Sequence, residues 1–341
     1  MKKFILGTIL LLCFVVTSYA KVIYVDKNMS DGFWSGSYND LTEAIQSANS
    51  GDEIWVAVGT YHPGTNRSDS YLLKPGVKLY GGFYGGEVAR EDRDPYKNAT
   101  VLSGDIGVAG NPEDNSYHVI SYDGVLDQQT VIDGFTIRDG NAGNGDGGGG
   151  MLLKNGAAPL VRQCRFTANI SSNGGGAVSL NNNVKFEYCL FDANSAEFGG
   201  AVFSPENRNE EGNASFSHCT FVSNTASEGS ALYLDKREGA YIDSSVFWNN
   251  TDPAGNISTF MFDDRGGGFS SVTNTAVDDA SVSTSTQSNI IYYSSTQADG
   301  PFTGTENFKI DGDHGIPQDW GWYYEPSPLV LNMKIFLEGA F

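Results

Sequence analysis

A set of markers recurs in the middle of the chain and constrains its fold more than any other feature. Cys164 is followed by Phe166, by Asn169 and then by a Gly-Gly-Ala signature at residues 175–177. The equivalent markers of the next repeats are Cys189, Phe191, Asn194 and residues 199–201; Cys219, Phe221, Asn224 and residues 229–231; and Ser245, Phe247 and Asn250. The asparagines are 25, 30 and 26 residues apart, a period typical of a solenoid built from stacked coils.

The spacing inside each repeat predicts short strands. Cys164 and Phe166 are two residues apart and therefore face the same side of a strand, whereas Val161, three residues before the cysteine, breaks this alternation. We therefore expect a bend or bulge between Val161 and Cys164. No repeat contains the 3.6-residue pattern of a crossover helix, so ordinary βαβ units are excluded. Successive coils are expected to stack in parallel, about 4.8 Å apart.

Equivalent residues of stacked coils should lie above one another and form ladders along the axis. The predicted ladders are Cys164, Cys189 and Cys219 with Ser245; Phe166, Phe191, Phe221 and Phe247; and Asn169, Asn194, Asn224 and Asn250. Free cysteine is commonly a small buried apolar residue, so we interpret the cysteines as packing residues rather than as metal ligands or redox groups. The asparagine column is interpreted as reinforcement of a corner.

The repeat resembles that of a known family. Its FxxN and GGA(I/V/L) motifs resemble the repeats of the chlamydial polymorphic outer membrane proteins. The wider chain resembles exported bacterial proteins of the pectin-lyase-like class in the motifs IYVD (23–26), LTEAI (41–45), GDEIWVAVGTY (51–61), LYGGF (79–83), TVLSGD (100–105) and DGFTI (133–137). The resemblance covers residues 22–252 and implies an all-β fold, a single-stranded right-handed parallel β-helix. It is specific for the fold and leaves the activity open.

The first twenty residues have the pattern of a secretory signal peptide. Lys2 and Lys3 precede a 13-residue apolar run, and Ser18 and Ala20 are small residues placed before a cleavage site after Ala20. Cleavage leaves three cysteines, an odd number that argues against a disulfide framework. No later apolar stretch is long enough for a transmembrane helix. We therefore expect a bacterial protein that is secreted or associated with the cell surface or outer membrane.

The rest of the chain divides into three predicted parts. Residues 21–60 hold a strand and a capping helix that Asp40 begins and Gly51 ends, followed by a buried strand over residues 53–59. Residues 61–300 form the β-helix, with about three irregular coils over 60–130. Residues 301–341 form a C-terminal cap. In it, residues 320–324 (WGWYY) are either an aromatic lid on the last coil, which we favour, or a sugar-stacking platform. Residues 334–341 resemble the start of a further module.

Charge excludes several partners. The chain has 21 basic and 41 acidic side chains, a formal net charge of −20. Such a surface repels phosphate backbones and anionic headgroups, so we expect neither nucleic-acid nor lipid-headgroup binding. Calcium is compatible with this charge, although no specific motif for it is present; no other cofactor is expected.

Signatures of the pectin-lyase-like enzymes are missing. A polygalacturonase needs paired carboxylates with Gly-His-Gly and Arg-Ile-Lys segments, and only residues 311–315 (DGDHG) look superficially similar, beyond the regular coils. The N-terminal opening resembles pectin methylesterase, but no matching Asp pair with a downstream Arg follows. The glycines of residues 147–150 lack the Lys-Ser/Thr of a phosphate loop, and we interpret them as a flexible corner.

A pectate lyase needs calcium on clustered carboxylates and an Arg or Lys as base. The residues on neighbouring coils that could line such a face are Arg138, Asp139, Arg162, Arg165, Lys185, Glu187, Asp192 and His218. No coil carries the required cluster of two or three Asp. The prediction is therefore an exported, non-enzymatic, adhesin-like binding rod whose partner is a glycan or a cell-surface protein. The alternative is a polysaccharide lyase or glycoside hydrolase acting on an acidic glycan.

Overall fold

The architecture is that of a computed structural model, which describes residues 20–27, 34, 37–143, 145–180, 183–205, 213–235, 239–262, 270–277 and 286–292. The predictions for the signal peptide, for residues 311–315, for the aromatic segment 320–324 and for residues 334–341 lie outside the described residues.

Short strands are the main regular elements of the described chain. One α-helix, α1, spans Leu41–Ser47, and two 3-10 turns span Arg90–Asp92 and Pro112–Asp114. The strands are β1 (Val22–Val25), β2 (Glu53–Ala57), β3 (Gly59–Tyr61), β4 (Tyr71–Leu72), β5 (Lys78–Phe83), β6 (Thr100–Ser103), β7 (Ile120–Asp123), β8 (Val131–Asp133), β9 (Phe135–Arg138), β10 (Asn141–Ala142), β11 (Met151–Lys154), β12 (Leu160–Arg162), β13 (Arg165–Thr167), β14 (Ile170–Ser171), β15 (Val178–Ser179), β16 (Lys185–Glu187), β17 (Leu190–Asp192), β18 (Val202–Ser204), β19 (Asn213–Ser217), β20 (Thr220–Val222), β21 (Leu232–Leu234), β22 (Gly239–Asp243), β23 (Val246–Trp248), β24 (Phe260–Phe262), β25 (Ser271–Val277) and β26 (Thr286–Tyr292).

These strands stack coil on coil in parallel. A typical coil contributes β12 and β13 to a 17-stranded sheet and β15 to a seven-stranded sheet. In the larger sheet Phe186 of β16 pairs with Val161 of β12 on one side and with Phe216 of β19 on the other. The chain is a single-stranded right-handed parallel β-helix with a short N-terminal helix, which confirms the fold class predicted from the sequence.

The bend expected between Val161 and Cys164 is a single left-handed residue. Gln163 and its equivalents Tyr188, His218 and Ser244 have φ between 47° and 55°, and each directly precedes a ladder cysteine or serine. A second left-handed residue precedes each ladder asparagine, at Ala168, Ala193, Ser223 and Asn249. Residues other than glycine rarely adopt this backbone conformation, so packing between stacked coils must hold the bends in place.

The interior ladders fill the space that these bends enclose. Phe191 is stacked between Phe166 and Phe221, at ring-centroid distances of 5.0 and 4.5 Å, and Phe247 lies 4.5 Å beyond Phe221. Cys164, Cys189, Cys219 and Ser245 are all buried, and Ser245 Oγ accepts a hydrogen bond from the Cys219 N–H at 3.1 Å. Burial raises the pKa of Cys164 to about 12, so this thiol stays protonated.

The asparagines form a hydrogen-bonded column at the second bend, and all four are buried. Asn194 Nδ2 donates to Asn224 Oδ1 at 3.0 Å and to the Phe166 carbonyl at 2.9 Å. Asn194 Oδ1 in turn accepts from the backbone N–H and the Nδ2 of Asn169, both at 3.1 Å. The amides of Asn169, Asn194 and Asn224 thereby each link three successive coils and satisfy backbone groups that the bend leaves without a sheet partner.

Helix α1 begins as predicted and ends earlier than predicted. Asp40 is its N-cap and accepts from the backbone N–H groups of Thr42 and Glu43. The helix packs against β1, β2 and β4. The expectation that Gly51 ends it is wrong: the last helical residue is Ser47, because the extended backbone of Ala48 already leaves the helix. In the ranges described, no helix is long and apolar enough to cross a membrane.

Two further expectations need correction. Residues 60–130 complete one coil and form one more, from β5 through β6 to β7, because long corners interrupt the stack on either side of β6. The glycines of residues 147–150 are not a flexible corner. Gly148 donates to the carbonyls of Gly174 and Gly175, and a Cβ on Gly149 would lie 2.4 Å from the Ile170 carbonyl oxygen. Neighbouring backbone packs so closely that only glycine fits there.

Candidate functional site

Residues that face away from the core form rows across the larger sheet. Asp133, Arg162 and Glu187 lie in one such row because β8, β12 and β16 pair in register. The sequence-predicted face therefore lies largely on one sheet. The strand before the first bend of each coil carries Arg162, Lys185 and Glu187, and the first bend itself carries His218. The strand between the two bends carries Arg138, Arg165 and Asp192, and the second bend carries Asp139.

Arg165 and Asp192 form a two-pronged ion pair across adjacent coils. Arg165 Nε and Nη2 lie 2.8 Å from Asp192 Oδ1 and Oδ2 respectively, and Thr167 Oγ1 donates to Oδ2 at 2.8 Å. The Asp192 side chain is 1% exposed. Hydrogen bonding to Asp192 raises the pKa of Arg165 above its ordinary value. The pair holds two coils together and leaves neither group available as a base.

Asp133 is held in the same way by two arginines. Its buried carboxylate lies 2.6 Å from Arg93 Nη2 and 3.0 Å from Arg162 Nη2. Arg93 also donates to Gln163 Oε1 at 3.1 Å. Arg93 and Tyr96 belong to the corner between β5 and β6 and line a groove of about 560 Å³ with Gln163. Sequence reasoning missed Arg93, because nothing near it in the chain indicates that its partner lies 40 residues away.

The remaining charges of the predicted face are also paired. Lys185 Nζ lies 2.6 Å from Glu187 Oε1, and Arg138 Nε lies 2.9 Å from Asp139 Oδ2. In the described part of the chain, no group of three or more His, Cys, Asp or Glu side chains is arranged to hold a metal ion. The charged residues of the face are brought together as ion pairs between or within coils.

Two aromatic rings lie on the outer surface at the first bend, where equivalent residues of successive coils form a ridge. The Tyr188 and His218 rings stack at a centroid distance of 4.7 Å and an interplanar angle of 23°. Tyr188 is 38% exposed, and Tyr241, in the outward row of the next coil, is 47% exposed. By strand geometry Tyr241 and His218 lie roughly 10 Å apart along the surface. We call the surface formed by Lys185, Glu187, Tyr188, His218, Tyr241 and Asp243 the aromatic face.

Polar groups surround these rings. Ser217 Oγ lies 2.8 Å from His218 Nδ1, and the Asp243 carboxylate accepts hydrogen bonds from Ser244 Oγ and Thr273 Oγ1. Burial lowers the pKa of His218 below its ordinary value, although Asp243 and Glu187 act in the opposite direction. The imidazole is therefore neutral at pH 7, so its ring acts as an aromatic surface rather than as a cation.

The arrangement provides flat aromatic surfaces with hydrogen-bond acceptors beside them. Aromatic rings with a polar edge pack against molecules that are apolar on one face and wet on the other. Sequence reasoning included His218, Lys185 and Glu187 but missed Tyr188 and Tyr241. The residue before each ladder cysteine or serine varies among Gln, Tyr, His and Ser, and this variation inside a regular repeat is the signal that could have marked an exposed position.

Parallel coils closed around continuous ladders define the chain as a right-handed parallel β-helix protein. Residues 26–204 match the family described as "Protein of unknown function (DUF1565)", and the chain belongs to that family. Similar solved structures include the pectin methylesterase of Aspergillus niger in deglycosylated form, at 16% identity and a TM-score of 0.41 over 90% of this chain and 97% of that one. The same enzyme in penultimately deglycosylated form matches at 15% identity and 0.41 over 91% and 98%. No curated protein matches the chain.

Proposed function

We propose that the chain is an exported, non-enzymatic, adhesin-like rod that binds a neutral glycan on the aromatic face. The observation that carries the proposal is the stack of Tyr188 on His218 at the exposed ridge, beside the carboxylates of Glu187 and Asp243. The aromatic rings would pack against the apolar faces of sugar rings, while the carboxylates accept sugar hydroxyls.

Charge favours a neutral over an acidic glycan. The whole chain carries a net charge of −20, and the aromatic face has two carboxylates against one lysine. That lysine, Lys185, is already paired with Glu187 at 2.6 Å. The protein would repel a polyanionic glycan, whereas a neutral glycan would bind without electrostatic repulsion.

Export is part of the proposal and is supported by the sequence. The basic start, the apolar run and the small residues before position 21 favour secretion, and we place the protein outside the cell or on the bacterial outer surface. The resemblance of the repeats to those of the chlamydial polymorphic outer membrane proteins supports an adhesive role.

The test is a binding screen of the purified mature chain on neutral and acidic polysaccharides. We expect retention on a neutral glycan without release of new reducing or unsaturated ends. Tyr188→Ala should weaken binding at least tenfold, which is about 1.4 kcal/mol. Tyr84→Ala is the matched control, because Tyr84 is 64% exposed on a distant corner, and it should leave binding unchanged.

Two outcomes would count against the proposal. Release of unsaturated ends from an acidic polysaccharide, lost in Arg162→Ala, would show a lyase instead of a passive rod. Equal binding by wild type, Tyr188→Ala and Tyr84→Ala would place any glycan site elsewhere on the chain. Circular dichroism of each variant checks that the fold is retained.

A further inference from the structure

Three consecutive residues in the corner after β6 carry buried oxygen atoms that accept no hydrogen bond. They are Asp114 Oδ1, Asn115 Oδ1 and Ser116 Oγ, half of the six such side-chain atoms in the described part of the chain. Asn115 is 6% exposed and Ser116 is fully buried. A buried oxygen without a donor is destabilising, and three adjacent ones indicate a bound group.

Other hydrogen bonds hold these three residues in place. Asp114 Oδ2 accepts from the Val108 N–H at 2.9 Å, so this carboxylate spans the loop of residues 104–116, which we call the acidic loop. Asn115 Nδ2 donates to the Asp139 carbonyl at 2.7 Å, and the Ser116 N–H donates to the Gly104 carbonyl at 2.9 Å. The Asp114 and Asn115 oxygens cannot turn away without breaking these contacts, and the Ser116 backbone is held in a fully buried position.

Two other aspartate-centred loops show what a self-sufficient carboxylate looks like. Asp69 Oδ2 accepts three hydrogen bonds, from the N–H groups of Thr65 and Asn66 and from Asn66 Nδ2. The Asp252 carboxylate likewise accepts from the N–H groups of Ala254 and Asn256 and from Asn256 Nδ2. Neither of these aspartates has a buried oxygen without a donor, whereas Asp114 has one.

The surroundings of the acidic loop favour a positive group. Asp105 belongs to the loop, and Asp139 lies next to it, since its carbonyl accepts from Asn115 Nδ2 and its carboxylate contacts Arg138. Arg67 is the other cation nearby, and its Nε donates to the Asn115 carbonyl while its guanidinium lies over the Tyr117 ring. Its charge is directed to the backbone and the ring rather than to the unpaired side-chain oxygens.

We propose that the acidic loop binds one divalent cation, calcium, with Asp114 Oδ1 as the carboxylate ligand and Asn115 Oδ1 and Ser116 Oγ as neutral ligands. Carboxylate, amide, hydroxyl and water oxygens are the ligands of a hard cation, and the absence of nitrogen and sulfur among these three atoms disfavours zinc or copper. The loop is joined to the coil beside it, because Asn141 donates from its N–H to the Ser116 carbonyl and from Nδ2 to the Pro112 carbonyl, so a bound ion would stabilise this junction.

The test is a calcium titration of the full chain after chelator treatment, by calorimetry and by thermal unfolding, with magnesium as the comparison ion. We expect one calcium per chain at this loop, tighter than magnesium, with a higher melting temperature in its presence. Asp114→Asn should weaken calcium binding at least tenfold. It should not lower the melting temperature without calcium, because the new amide can donate to the oxygens left unpaired.

Asp252→Asn is the matched control, since that carboxylate is satisfied within its own loop, and it should leave the calcium affinity unchanged. Comparing the two variants also separates this site from acidic residues outside the described ranges. Should Asp114→Asn fail to fold, Ser116→Ala takes its place, with the same expected direction. No binding to wild type at about 1 mM calcium, the weak end for extracellular modules, would overturn the proposal in favour of buried water. Equal calcium affinity in wild type and Asp114→Asn would overturn it too.

Discussion

The asparagine column allows a test in which only hydrogen-bond donors are removed. Asn194→Asp keeps the shape of a fully buried side chain and therefore creates no cavity. It also keeps an oxygen that accepts from Asn169. It removes the two bonds that Asn194 Nδ2 donates, to the Phe166 carbonyl at 2.9 Å and to Asn224 Oδ1 at 3.0 Å.

The expected cost follows from those two bonds. Both acceptors lose an amide donor and face another oxygen, although Asn224 Oδ1 keeps the bond from the Asn194 N–H. A lost hydrogen bond costs about 0.5 to 1.5 kcal/mol and an unsatisfied buried acceptor about 1 to 3 kcal/mol, so the two changes together cost about 1.5 to 4.5 kcal/mol. A buried carboxylate charge places the result in the upper half of that range at pH 7. Protonation gives the new carboxyl one O–H donor, so the loss should be smaller near pH 4.

The free energy of unfolding, from urea denaturation followed by circular dichroism, measures this cost. The control is Asn249→Ala. Asn249 is exposed and has a left-handed backbone, and it lies two coils beyond Asn194 at the position directly before the ladder asparagine. Alanine occupies the equivalent position in two other coils, at Ala168 and Ala193. We expect the control to lower the free energy by no more than about 1 kcal/mol, since asparagine tolerates a left-handed backbone better than alanine and Asn249 Nδ2 donates to Ser223 Oγ. A loss below about 1 kcal/mol in Asn194→Asp at pH 7, or an equal loss in the control, would refute the reasoning.

Three further perturbations test the stack. Phe191→Ala should lower the free energy of unfolding by about 3 to 5 kcal/mol and Phe191→Leu by less, because the Phe191 ring lies between two other rings at 5.0 and 4.5 Å. Equal urea midpoints for the two variants would contradict an interior position. Arg165→Ala should lower the free energy of unfolding by about 3 to 5 kcal/mol, because it leaves the Asp192 carboxylate buried without its partner. In a double-mutant cycle, adding Asp192→Leu should restore most of that free energy. Burial lowers the pKa of His118 below 6.5, so the unfolded chain binds a proton at a higher pH than the folded chain does. The free energy of unfolding should therefore fall as the pH drops below about 6.5 and level off below the lowered pKa. Denaturation at several pH values should show a flatter profile for His118→Gln.

The repeat period and its markers were enough to predict parallel coils from the sequence. Inward residues such as Cys164, Phe166 and Asn169 recur because each contacts its own equivalent in the next coil, so one repeat carries the information for the whole stack. The helix at residues 41–47 was equally readable, since its N-cap and its apolar spacing are local.

The outward surface was much less predictable. Tyr188 and His218 stack on the ridge because the backbone is left-handed at both positions, a conformation that is uncommon for residues other than glycine. Glycines 147–150 looked flexible in the sequence but are confined by backbone from neighbouring coils. Such constraints arise from the chain packing against itself and leave no local signal.

The sequence by itself therefore determined the coil, its direction of stacking and the residues that line it, because those contacts repeat at a fixed period. Only the tertiary structure decided that Arg93 meets Asp133 from 40 residues away, and that Asp114, Asn115 and Ser116 hold oxygens without donors. These features depend on where long corners fold back onto the coils. The folding of a corner depends on loop closure and on packing partners distant in sequence, which no periodic pattern encodes.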